Sequence, residues 1–303
     1  MPMPCFNATG VPIFHLHMPK MAGQALLQLV PKLLQQPLCA WAPNRFCAKS
    51  GHCTPDWGNP DHFAAKVRSH HEELASRPCF TSYEGGWDAI IPSFERVHTP
   101  PCVITMLREP HDWLLSAIEH DADWRRHTGI DDLFHRGCFK AFTQCDSQGY
   151  IYTEPASFLT REGDWKSPSR ERFAVARARL DATVFGLVEE MQASMCLWQW
   201  QFGLRLNRST CDCRHRRVNA VDKVGEHSES STAKLLNASA GARSTLERME
   251  FGFYDELYVY GVSLFVQRVR VVETSTGMKL LCRGDQPVHD RAFWIESAAG
   301  RPP

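Results

Sequence analysis

Long apolar runs are missing from this chain: no stretch approaches the roughly 18 to 20 consecutive apolar residues that a membrane-spanning helix needs. No charged-then-apolar leader opens it either, so the chain as it stands is expected to be soluble, with any anchor lying outside it. Net charge is missing as well, since 34 Lys and Arg balance 34 Asp and Glu. That balance makes no demand for nucleic acid or an anionic membrane surface, and a basic groove for an acidic ligand has to be local. Internal repeats and low-complexity segments are absent, as are the G-x-x-x-x-G-K-[ST] phosphate loop and paired C-x2-C metal spacing. What remains is an ordinary globular composition, 43% hydrophobic and 22% charged over 303 residues. Such a chain can bury a large core, and one α/β domain with insertions fits better than two domains.

Cysteine, by contrast, is plentiful. Twelve are present, several in polar, loop-like stretches, which favours disulfides formed in an oxidising lumen. Sequons at Asn7, Asn207 and Asn237 agree with a secretory route. Metal binding is the competing reading: Cys211, Cys213 and His215 lie close together, as do Cys47, His52 and Cys53.

Two segments carry the chemistry. In IFHLHMPKMAGQALLQL, residues 13–29, a short apolar run ends at His-x-Pro-Lys, followed by Gly23 and an apolar segment of helical period, Ala25, Leu26, Leu29 and Val30. That order predicts strand, tight turn and helix, with free N–H groups at the helix start facing an anion beside the Lys20 ammonium. PCVITMLREPHDWLLSAIEH, residues 101–120, repeats the design: a strand over 103–107, then Arg108, Pro110 entering a helix, and Ser116 within it. Arg108 can fork onto a phosphate while Ser116 donates a hydroxyl hydrogen bond to the same group.

At these two sets of residues the chain resembles the sulfotransferases that use 3'-phosphoadenosine 5'-phosphosulfate (PAPS), above all the Golgi carbohydrate type. There a His-x-x-Lys-Thr-Gly-Gly-Thr turn holds the 5'-phosphosulfate and an Arg-Asp-Pro-x-x-Arg-x-x-Ser segment holds the 3'-phosphate. The resemblance covers about 11–270 and implies a P-loop-like sulfotransferase fold, with helices flanking a mostly parallel central sheet. It assigns cofactor contacts to Lys20, Met21, Ala22, Gly23, Gln24, Ala25, Arg108 and Ser116, with Lys20 also neutralising the departing oxygen. Thr-Gly-Gly-Thr is here Met21-Ala22-Gly23-Gln24, so hydroxyl contacts are lost and backbone N–H groups must serve. In the second motif Asp becomes Glu109 and the second Arg becomes Trp113.

The pattern is closest to heparan sulfate 6-O-sulfotransferases, where a base histidine stands three residues before a tryptophan. Glu84 holds that place before Trp87. It is either the general base or a solvated carboxylate opening a Gly-Gly turn; His70, His71 and His98 are alternative bases. The acceptor implied is a glycan hydroxyl, the 6-O of a glycosaminoglycan-like sugar, with no metal required and a Golgi location reached through an anchor not in this sequence. Two other readings stay open: a non-catalytic glycan-binding descendant of the fold, and a P-loop nucleotide kinase. The kinase is disfavoured because Lys20 precedes Gly23 and no Ser/Thr for Mg²⁺ follows the lysine.

Around these motifs the expected organisation is an N-terminal extension (1–10), the domain proper (11–270) and a C-terminal tail (271–303). A Cys/Pro-rich insertion fills 37–60, with a helix over 61–76 and a strand over 79–83. Helices over 169–180 and 189–206 flank a strand over 183–188, and a loop over 207–232 precedes a helix over 245–269. VFGLVEE resembles the family's late strand and reads plainly as core. Trp41, Trp57, Trp87, Trp124 and Trp165 fall in loop-like regions, as anchors for loops or platforms for sugar rings.

Overall fold

The computed structural model describes residues 3–6, 10–18, 23–39, 60–83, 86–113, 116, 158–159, 170–215, 239–241, 244 and 253–281. Four strands, β1 (Ile13–Leu16), β2 (Phe80–Tyr83), β3 (Cys102–Leu107) and β4 (Val184–Leu187), form one all-parallel sheet in the order β2-β1-β3-β4. Every residue of these strands is buried. Parallel strands joined by crossovers carry helices on both faces, so continuous apolar runs rather than alternating ones are what the sequence supplies.

The helices are α1 (Gly23–Leu33), α2 (Pro60–Ser69), α3 (His71–Ser76), α4 (Trp87–Arg96), α5 (Arg170–Asp181), α6 (Met191–Gln201), the short α7 (Arg208–Cys211) and α8 (Phe253–Thr276). On one face of the sheet Phe14 meets Phe63 of α2 and Phe94 of α4, while α8 covers the β3–β4 half: a Cβ on its Gly261 would lie 2.4 Å from Leu107 and 3.6 Å from Phe185. On the other face α6 approaches so closely that a Cβ on Gly186 of β4 would lie 2.5 Å from the Cβ of Ser194. The Ser194 hydroxyl uses that proximity, accepting the Leu187 N–H at 2.9 Å and donating to the Leu187 carbonyl at 3.0 Å.

α8 presents Tyr254, Leu257, Tyr258, Gly261, Val262, Leu264, Phe265, Arg268, Val269 and Val272 inward, the 3–4 spacing of a core-facing stripe. It runs on to Thr276, beyond the 269 expected from sequence. Arg268 is buried within it, donating to the carbonyls of Thr183 (2.8 Å) and Asp181 (2.7 Å), with its guanidinium over the Phe185 ring. It thereby satisfies carbonyls that the end of α5 leaves without helical partners. Burial lowers its pKa to about 10, which leaves it charged at neutral pH.

Three disulfides brace this framework: Cys5–Cys102, Cys39–Cys79 and Cys196–Cys211. Cys213 is disulfide-bonded too. The zinc alternative for Cys211, Cys213 and His215 is therefore overturned, because oxidised sulfurs offer no thiolate. The second cluster lies outside the described residues. Among those described, no group of three or more metal-ligating side chains converges, and no helix is long and apolar enough to cross a membrane. The helix expected over 61–76 is two helices, α2 and α3, and α4 was not anticipated at all.

Candidate anion-binding site

All four strands point the same way, so their C-terminal ends share one edge. β1 has β2 on one side and β3 on the other, and the strand order reverses between β1 and β3, the position at which open parallel sheets take ligands beyond their strand ends. Ile13, Phe14 and His15 lie opposite Cys102, Val103 and Ile104. Continuing that register puts residues 17 and 18 level with Met106 and Leu107. Residues 17 and 18, which follow β1, thus lie beside the end of β3, which Arg108 follows directly. Thr105 ties the two strands there, its hydroxyl donating to the Leu16 carbonyl at 2.8 Å. α1 begins at Gly23, so its first-turn N–H groups belong to Gly23, Gln24 and Ala25.

The turn after β3 is built to a single geometry. Glu109 stands just before a helical segment (110–113) with Pro110 first, the place where a missing N–H costs nothing. Its carbonyl accepts the Trp113 N–H at 2.8 Å and its carboxylate the Asp112 N–H, also at 2.8 Å, while the His111 ring lies 3.0 Å from the same carboxylate. Where the resembled family has Asp, this chain thus has a carboxylate used as the helix cap. Trp113, where the family has its second Arg, is 1% exposed and edge-on to the Tyr254 ring at 6.0 Å. That position belongs to the core, which accounts for an apolar side chain there.

Contacts from two other elements hold the same turn. Tyr254 of α8 accepts the Arg108 N–H at 3.2 Å and donates its hydroxyl to the Arg108 carbonyl. Burial raises its pKa well above the ordinary value, so it stays a hydroxyl. Glu189, two residues past β4, accepts the Glu109 N–H at 2.6 Å through one carboxylate oxygen and the Tyr258 hydroxyl at 3.3 Å through the other. The residue is half-buried, with its carboxylate turned inward. Removal from water raises its pKa from 4.5 to about 7, against the opposing pull of the Glu109 N–H bond and of Arg108.

Of the residues singled out from sequence, Arg108 directly follows β3 at that edge of the sheet, and Ser116 is helical and half-buried. Gly23, Gln24 and Ala25 open α1; Lys20, Met21, Ala22 and Glu84 lie outside the described residues. Trp87 is not in a loop but is the first residue of α4, half-buried, with the Arg179 guanidinium over its ring at 5.5 Å and Arg179 paired to Asp88. Trp41, Trp57, Trp124 and Trp165 lie outside the described set. His70 and His71 bond through Nδ1 to the carbonyls of Lys66 and Arg68 in the last turn of α2. His98, at φ 54°, follows α4 and leads into the N-terminal end of β3.

Sequence reasoning missed Glu189, Tyr254 and Tyr258. The visible signal was a carboxylate directly after a fully apolar strand. Another buried group it passed over is His15, in the middle of β1, whose Nδ1 pairs with Ser82 Oγ at 2.9 Å. Burial, with His17 adding to it, drives the His15 pKa well below its usual value, and the ring is neutral. No protein-family model matches the chain, and no curated protein matches it.

Proposed function

We propose that this protein transfers a sulfuryl group from PAPS to a hydroxyl of a glycan in the secretory pathway. The register of β1 against β3 supports the reading, because it sets the end of β1, which the Lys20 segment follows in sequence, level with the end of β3, which Arg108 follows, at the edge where open parallel sheets bind ligands. An anion held there would meet the N–H groups of Gly23, Gln24 and Ala25, aided by the positive end of the 11-residue α1. On the other side Arg108 and Ser116 would take the 3'-phosphate. The capping role of Glu109 supports the fit, since its carboxylate is engaged with the helix start. The three disulfides support an extracellular or secretory-pathway protein. The Golgi location and the glycosaminoglycan-like 6-O acceptor rest on the sequence resemblance.

In that reaction the acceptor oxygen forms a bond to sulfur as the bond from sulfur to the 5'-phosphate oxygen breaks. Lys20 neutralises the charge that builds on the departing oxygen, and the acceptor's proton passes to Glu84. A sulfuryl group carries less charge than a phosphoryl group, so the scheme calls for no metal.

Calorimetric titration with 3'-phosphoadenosine 5'-phosphate tests the site. Binding weakened on the order of a hundredfold in Arg108→Ala is expected, from loss of a charge-assisted bidentate contact. Sulfation of glycan acceptors should then disappear in Lys20→Ala. Unchanged transfer in both variants would sink the proposal, and glycan binding indifferent to PAPS with no sulfation would favour the non-catalytic reading.

A further inference from the structure

The contacts on the Arg108–Glu109 turn go further than holding it still. We propose that Glu189 is a positioning residue of the anion site, which holds the turn bearing Arg108 and takes up a proton when a phosphate binds there. This rests on the reading of Arg108 as a phosphate ligand.

Geometry carries the first half. The Arg108 peptide is fixed on both sides by one hydroxyl, that of Tyr254, and the next amide, Glu109 N–H, points at the Glu189 carboxylate. Three segments distant in sequence, the ends of β3 and β4 and the start of α8, thus converge on two consecutive peptide groups. These two peptide groups share three hydrogen bonds with side chains of α8 and of the segment after β4, next to the residue expected to touch ligand.

Charge carries the second half. Arg108 and Glu109 face Glu189 from the end of β3, with His111 and Asp112 just beyond; Glu190 adjoins it in the chain, and Tyr254 and Tyr258 reach it from α8. Arg108 is the cation that favours the ionised carboxylate, and Asp112 opposes it. When a phosphate neutralises Arg108, that support is withdrawn and a new negative charge arrives, so the carboxylate becomes easier to protonate. Linkage then requires the reciprocal effect: the phosphate binds more tightly when Glu189 is already protonated. Protonation preserves the geometry, because the acid still accepts Glu109 N–H and the Tyr258 hydroxyl can reverse to accept.

The experiment compares wild type with Glu189→Gln and Glu189→Ala by titration with 3'-phosphoadenosine 5'-phosphate between pH 6 and 8.5. Gln can accept from Glu109 and donate to Tyr258, so Glu189→Gln imitates the protonated acid. Taking the ratio of dissociation constants removes the ligand's own titration. Wild type and Glu189→Gln should match near pH 6, and wild type should bind about three- to tenfold more weakly at pH 8.5, the effect of a pKa moved by up to about one unit. Glu189→Ala should lose affinity at every pH. A Gln variant whose ratio to wild type stays flat across the range would overturn the proton uptake. If Arg108→Ala abolishes binding while neither Glu189 variant changes affinity or profile, this inference falls and the proposed site stands; if Arg108→Ala has no effect, both fall.

A second readout needs no ligand. A carboxyl whose folded pKa is raised stabilises the fold below its unfolded value of 4.5 and loses that contribution as pH rises towards about 7. Melting temperature should therefore decline more steeply over that interval in wild type than in Glu189→Gln. Parallel slopes would also overturn the proposal, and the same melts show whether each variant folds.

Discussion

The three disulfides whose two cysteines both lie among the described residues close loops of very different length, and stability should follow those lengths. Cys5–Cys102 spans 97 residues, Cys39–Cys79 spans 40 and Cys196–Cys211 spans 15. If a cross-link acts by restricting the unfolded chain, the losses on removing them are about 4.7, 3.9 and 3.0 kcal/mol. The middle bridge is nested in the longest loop; while it stays closed, the outer loop behaves as roughly 57 residues and its removal costs about 4.2 kcal/mol. Five of the six cysteines are buried and the sixth, Cys5, is half-buried, so packing losses in paired Cys→Ala variants are similar and the order of effects reports the loops. Urea unfolding of the three double variants without reductant measures it. A Cys196/Cys211 variant that loses as much as the Cys5/Cys102 variant would refute loop length as the cause. Together the bridges are comparable with the roughly 5–15 kcal/mol net stability of a native protein, so material made under reducing conditions should be largely unfolded and recover on oxidative refolding.

Gly186→Ala forces its new methyl against Ser194 and the Met106 sulfur; a loss of about 3 kcal/mol is expected from overpacking and the disturbed Ser194–Leu187 hydrogen bonds, partly restored by adding Ser194→Gly. Arg268→Met keeps the buried stem but abandons the Thr183 and Asp181 carbonyls, and should lower stability by about 3 kcal/mol in urea titrations, whereas an unchanged midpoint would mean those carbonyls find water. Asn207 is exposed, with its side-chain oxygen accepting from the Ser209 N–H and hydroxyl; protein from a secretory host should carry a glycan there, seen as a mobility shift lost in Asn207→Gln and on treatment with a peptide N-glycosidase.

The strands were legible because central parallel strands are buried on both faces, and VITML or VFGL admits no amphipathic alternative. Helix α8 was legible from its stripe as far as Val269, but its last two turns were not, since the polar run Glu273, Thr274, Ser275 and Thr276 after Val272 carries little apolar signal. Trp87, Ile90, Ile91 and Phe94 have the spacing of one helical face, yet α4 was hidden because Pro92 interrupts the segment and Gly85-Gly86 before it reads as a turn. At the site, Arg108 could be read from its position between a strand and a proline. The cap formed by Glu109 was equally local and could have been inferred from Pro110. Glu189 showed only as a carboxylate after an apolar strand, with its partner unmarked, and Tyr254 did not show at all: it is 146 residues from Arg108, and no local pattern encodes a hydroxyl that closes on a peptide so far away.

The same distance gives the protein a timetable. Ribosomal synthesis delivers β1, β3 and β4 well before α8, and the Arg108 peptide lacks its Tyr254 contacts, and Glu189 its Tyr258 contact, until residues 254–258 have emerged. A nascent chain stalled before that point holds a sheet whose β3–β4 half still lacks its α8 cover over Leu107 and Phe185. Competence for an anion should therefore appear late and abruptly, with the docking of one long helix, rather than grow in step with the sheet.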